Sequence, residues 1–99
     1  MEIKDTLEGT ALTVEVSGSV NTQTAPELEK DIEKHADGVT AIIIDLAKVE
    51  YISSSGLRVL LSTQKRMDAV GGKLTVRGAT PEIREIFDMT GFTSILNLE

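Results

Sequence analysis

The chain has 99 residues, of which 40% are hydrophobic, 26% charged and only 3% aromatic, and it contains no cysteine. That length holds one domain around one modest core built mainly from Ile, Leu and Val, and the missing cysteine excludes disulfides, thiolate metal sites and thiol nucleophiles together. With 16 acidic residues against 10 basic, the formal net charge is −6, and no Lys/Arg block compensates locally, so nucleic acid is not an expected partner.

The opening Met1-Glu2-Ile3-Lys4-Asp5 does not read as a signal peptide. No apolar run approaches the ~20 residues of a membrane span, so direct membrane insertion is not expected and a cytoplasmic location is. Ile3 and Leu7 share one parity of a short extended segment that Glu8-Gly9 turns, and Leu12, Val14 and Val16 then alternate with polar residues as a half-buried strand does. Gly18 interrupts that strand, and Ser19 to Gln23 form a polar loop. Thr24 with Glu27 three residues on, and Pro26 in the first turn, predict a capped helix start. Ala25, Leu28, Ile32 and Ala36 give the helix its apolar stripe, and Gly38 is placed to end it.

Val39 to Leu46 contains the run Ala41-Ile42-Ile43-Ile44, which predicts a central strand covered on both faces. A serine-rich loop, Tyr51 to Leu57, leads into a helix carrying Leu57, Leu60, Leu61, Met67 and Val70, closed by Gly71-Gly72. Lys73 to Arg77 is a further strand. Thr80-Pro81 opens a last helix with Ile83, Ile86 and Phe87 inward and Gly91 near its end. Ile95, Leu96 and Leu98 form a final short strand or pack down the tail. The order ββαβαβα(β) predicts a single α/β domain over residues 1–99, a sandwich with a mixed central sheet of four or five strands and helices packed against it.

Ser53, Ser54 and Ser55 fall at a helix start, where the first amide N–H groups lack intrahelical partners and the macrodipole favours an anion. A phosphate there would add about −1.5 to −2 charges without unfolding the helix, the physics of a switch that alters docking. Serine is equally a preferred N-cap, and Gly56 is equally a packing residue. The segment Asp45-Leu46-Ala47-Lys48-Val49-Glu50-Tyr51-Ile52-Ser53-Ser54-Ser55-Gly56-Leu57 resembles the central signature of the STAS domain family of bacterial anti-sigma factor antagonists. Val16-Ser17-Gly18-Ser19-Val20-Asn21 resembles the end of that family's second strand. Gly71-Gly72-Lys73-Leu74 through Ile83, Phe87, Gly91 and Phe92 resembles its last strand–helix unit.

The resemblance implies a transcription regulator in a partner-switching pathway. It would bind an anti-sigma factor/serine kinase when unphosphorylated, be released on phosphorylation, and be restored by a serine phosphatase. Such a domain is a kinase substrate and not itself an enzyme. The family's acceptor serine maps onto Ser54, and the implied partner surface comprises Ser53, Ser54, Ser55, Gly56, Leu57 and Arg58 with Asn21 and Thr22. Leu57 reads as either core or rim. Two family aspartates are replaced, by Ser53 before the acceptor and by Asn21 at the end of strand two, which bears on recognition by the kinase. Arg58 stands where a small residue is frequent, four residues after Ser54 and so on its side of the helix. It reads as a contact for a phosphate or an acidic partner group, or as a solvated arginine.

His35, the only histidine, reads as a cation at a helix end. Glu27, Glu29, Asp31 and Glu33 among lysines read as a solvated face. No Gly-x-Ser-x-Gly elbow, metal cluster or cofactor motif is found. The alternative function is that of a constitutive STAS subunit of a membrane lipid-transport ATPase complex, indifferent to phosphorylation.

Overall fold

The computed structural model describes all 99 residues, Met1–Glu99. β1 (Glu2–Glu8) and β2 (Ala11–Val20) form an antiparallel hairpin. α1 (Ala25–His35), β3 (Ala41–Ile52), α2 (Ser54–Ala69), β4 (Lys73–Arg77), α3 (Pro81–Thr90), a short 3₁₀ turn (Phe92–Ser94) and β5 (Asn97–Leu98) follow. The five strands lie side by side in chain order, and every pair after the hairpin is parallel. Each strand–helix–strand step therefore moves the same way across the sheet. Right-handed crossovers then put all three helices on one face.

Register explains which side chains meet those helices. Leu12, Ile42 and Leu74 stand in one row across β2, β3 and β4, and Val14, Ile44 and Val76 in the next. All six are at most 1% exposed. They join Leu28 and Ile32 of α1, Leu57 and Leu60 of α2, and Ile83 and Phe87 of α3 in a single buried cluster. The opposite parity carries Thr13, Ile43 and Thr75 in one row and Glu15, Asp45 and Arg77 in another. No helix lies on that side. Arg77 Nε donates to Asp45 Oδ2 at 3.1 Å across it. The Ala41–Ile44 run is thus covered on one face, not two: Ile42 and Ile44 point into the core and Ile43, half-buried, points away.

Several boundaries differ from the sequence reading. β2 continues through Gly18 to Val20, because Gly18 takes φ +90° and lets the backbone of Met1 approach to 3.3 Å of where a Cβ would sit. β3 runs on to Ile52 instead of ending near Leu46. Two register shifts against β2 accommodate the extra residues, so the buried positions step by three through Leu46, Val49 and Ile52. Asp45 Oδ1 braces the first irregularity by accepting a hydrogen bond from Ala47 N at 2.9 Å. α2 begins at Ser54, earlier than Leu57, and Val70, counted in the helical pattern, is the C-cap and is 60% exposed.

Candidate functional site

The parallel strands deliver their C-terminal ends to one edge of the sheet, the edge at which open α/β sheets place their binding sites. Val20 and Ile52 are neighbours there, and Ser53 N donates to Val20 O at 2.8 Å, which ties the start of α2 to the end of β2. Ser53 is the N-cap. Its backbone is extended, and its Oγ accepts from Gly56 N at a long 3.4 Å while its carbonyl accepts from Leu57 N at 2.9 Å.

The three serines therefore separate by role. Ser53 is spent on the cap. Ser55 is half-buried and its hydroxyl donates to Thr22 Oγ1 at 3.5 Å, reaching the loop that precedes α1. Ser54, in the first turn, is exposed. Its hydroxyl is left out of the bonds its two neighbours make. Gly56 and Leu57 are buried beneath this face and not on it. A Cβ on Gly56 would sit 2.6 Å from Ile52 Cγ1 and 2.8 Å from Val20 Cγ1, so the absence of a side chain lets the helix seat on the strand ends. Leu57, 6% exposed, belongs to the core cluster.

The loop from β2 to α1 is held by Asn21. Its Oδ1 accepts from Gln23 N at 2.9 Å and Thr24 N at 3.0 Å, an Asx-turn. The capping role expected of Thr24 is not taken: its side chain caps nothing, and the box with Glu27 does not form. Thr24 Oγ1 instead donates to Ser19 O at 2.8 Å and accepts from Asn21 N at 2.8 Å. Both departures from the family pattern thus keep the oxygen that the local geometry uses. What Ser53 and Asn21 lack, relative to aspartate, is charge.

Thr22, Ala25, Pro26, Glu29, Ser55, Arg58 and Val59 line a shallow cleft of about 160 Å³ between the starts of α1 and α2. Arg58 is exposed and belongs to none of the three ion pairs in the protein. Of the predicted site residues, Thr22, Ser55 and Arg58 line this cleft, and Asn21, Ser53 and Ser54 adjoin them in the chain.

The profile of the STAS domain matches residues 2–99. The chain belongs to the STAS domain family. Among curated relatives of this STAS domain, a protein of Bordetella bronchiseptica named as the anti-sigma factor antagonist BtrV is 38% identical over 81 residues, covering 81% of this chain and 70% of the relative. The anti-sigma-B factor antagonist of Staphylococcus aureus is 27% identical over 99 residues, covering 99% and 92%. The crystal structure of an anti-sigma factor antagonist from Mycobacterium paratuberculosis superimposes with a TM-score of 0.87 at 31% identity, covering 98% of this chain and 83% of that one.

One grouping of chemically active side chains lies elsewhere and was not anticipated. Asp5 of β1 meets Asp31 and His35 of α1, their ligand-type atoms all within 4.8 Å of one another. Asp5 pairs in register with Val14, six residues down β2 from Val20, so this cluster is remote from the serine loop. Asp31 is half-buried there and not part of a solvated face. No helix in this STAS domain is long and apolar enough to cross a membrane.

Proposed function

We propose that this STAS domain is a cytoplasmic anti-sigma factor antagonist that docks through the face at the start of α2, with Ser54 the switched residue. The observation that carries the reading is the division of labour among the serines: Ser54 alone combines exposure with a hydroxyl not taken up in holding the helix start. The relatives named as anti-sigma factor antagonists support it. In the unphosphorylated protein the face is uncharged apart from Arg58 and Glu29. A phosphate on Ser54 introduces about −1.5 to −2 charges at the centre of that face, where the amides of the first turn stabilise it. The fold is kept and the docking surface goes from near neutral to negative.

On this reading the anti-sigma factor is also the serine kinase, a serine phosphatase reverses the modification, and the domain is a substrate and not an enzyme. Thr22 and Asn21 form the far wall of the contact, and Arg58 offers a free guanidinium to an acidic group of the partner. Lysate of the source organism is passed over wild type, Ser54→Ala and Ser54→Asp as parallel baits. A kinase-like anti-sigma factor is expected on wild type and Ser54→Ala, and its affinity for Ser54→Asp is expected to fall at least about tenfold, ~1.4 kcal/mol. A membrane-transport ATPase captured equally by all three baits would refute the reading and make the domain a constitutive subunit.

A further inference from the structure

The contact between β1 and α1 contains two carboxyl groups packed where neither can be fully hydrated. Asp5 lies on the helix-facing side of β1, opposite buried Val14, and only 19% of its side chain is exposed. Asp31 comes down onto it from α1, with a carboxyl oxygen of each residue within 4.8 Å of the other. Asp5 Oδ1 and Asp31 Oδ2 are both buried, and no donor in the protein reaches either. Two ionised carboxylates cannot bond to one another, whereas a carboxylic acid beside a carboxylate can, and one proton then partners an oxygen on each side.

The remaining charged groups that face the pair are on α1. His35 Nδ1 is 2.9 Å from the Asp31 carbonyl oxygen and 3.7 Å from Asp5 Oδ2. Lys34 also acts on Asp5, in the same sense as His35, favouring the ionised form. β2 brings only the apolar Val14 opposite Asp5, and the buried Leu28 and Ile32 occupy the core-facing stripe of α1. Lys4 and Thr6, on the other parity of β1, pair with Glu15 and Thr13 on the uncovered face of the sheet.

We propose that Asp5 and Asp31 share one proton, and that this proton clasps the edge strand β1 to α1 in mildly acidic solution and is released as the solution becomes neutral. The Asp5 carboxyl is pushed up from 3.8 to about 6, first by burial, then by the hydrogen bond with Asp31 and by repulsion from its charge, with His35 and Lys34 opposing. In the unfolded chain Asp5 loses its proton near the ordinary value, and in the folded chain near 6. The folded state therefore holds the extra proton between these limits. Its contribution to stability is complete below about pH 4 and is lost as the pH rises through about 6. Above that, the pair is two carboxylates in repulsion and the clasp is loosened.

Carbon-13 NMR of the aspartate side-chain carboxyls reads the pair directly. The titration expected of the wild type has Asp5 changing state near pH 6. Asp31→Asn is expected to return Asp5 toward the ordinary value, and His35→Gln to move it higher, since His35 opposes the shift. An ordinary Asp5 titration in the wild type, or one unmoved by Asp31→Asn, overturns the proposal. Asp5→Asn, which imitates the protonated form, supplies an independent readout. From about pH 5 to about pH 7.5 the folding equilibrium constant of the wild type should fall by roughly tenfold relative to this variant. Parallel pH profiles would refute the clasp. The same titration with equimolar zinc chloride should be unchanged. A zinc-saturable collapse of the pH 6 step would overturn the shared proton in favour of a cation held by the three side chains.

Discussion

The substitution Gly56→Ala sets two effects of opposite sign against each other at the candidate site. Gly56 lies in the first turn of α2 at an ordinary helical φ, so alanine meets no backbone strain there, and propensity alone would make it stabilising by up to ~1 kcal/mol. The added methyl, however, would lie 2.6 Å from Ile52 Cγ1 and 2.8 Å from Val20 Cγ1. Both contacts fall roughly 1 Å inside the optimum of about 3.5–4 Å between carbon atoms. Neither neighbour can yield easily: both are β-branched, with stiff χ1 torsions, and are at most 2% exposed. Overpacking of this kind typically costs about 1–3 kcal/mol, and two simultaneous clashes with stiff side chains belong at the upper end. The net expectation is a loss of about 2 kcal/mol. For a domain of this size that lowers Tm by roughly 8–16 °C. Thermal and urea unfolding followed by far-UV circular dichroism measure it. Val20→Ala in the Gly56→Ala background should recover part of the loss, a favourable coupling between touching positions. If Gly56→Ala unfolds at or above the wild-type temperature, the packing argument for the glycine is wrong and helix propensity governs the position.

Two further predictions concern the loop that faces the serines. Thr24→Val keeps the shape of the side chain but strands the Ser19 carbonyl and the Asn21 amide, each 2.8 Å from Thr24 Oγ1. A loss of about 1–3 kcal/mol in urea unfolding is expected, and no loss would mean that water replaces the hydroxyl. Asn21→Asp restores the family's residue with its turn-forming oxygen in place, bonded to the amides of Gln23 and Thr24. Stability near neutral pH should hold or rise by up to about 1 kcal/mol, because a charged acceptor makes the stronger bond and sits at the start of α1. A drop in Tm would show that the loop cannot carry the charge.

The element order was legible because α1 and α3 carry their apolar residues in stripes and β2 alternates cleanly from Leu12 to Val16. The second half of β3 was not. Its irregularities replace the two-residue rhythm with Leu46, Val49 and Ile52, a spacing that resembles neither a strand nor a helix. At the site, sequence located the serines but could not divide them, since each is an equally good cap. Only the extended backbone of Ser53 shows which one is used up. Asn21 and Thr24 posed the same ambiguity, and the capping role given to Thr24 is displaced by the Asx-turn. The Asp5–Asp31 pair lay beyond sequence reasoning altogether, because 26 positions separate the residues and the hairpin register brings them together.

The hairpin and the last strand also decide where the chain ends emerge. Met1 lies against Gly18 near the end of β2, and Glu99 exchanges backbone hydrogen bonds with Val76 and Gly78 at the end of β4. Both termini therefore leave the domain at the same pole as Ser54. Any tag, linker or neighbouring domain joined at either end starts out beside the proposed docking face, at opposite flanks of it. A bait tethered closely to a bead would present its far pole to solution, so long spacers belong in the design of every binding assay on this protein.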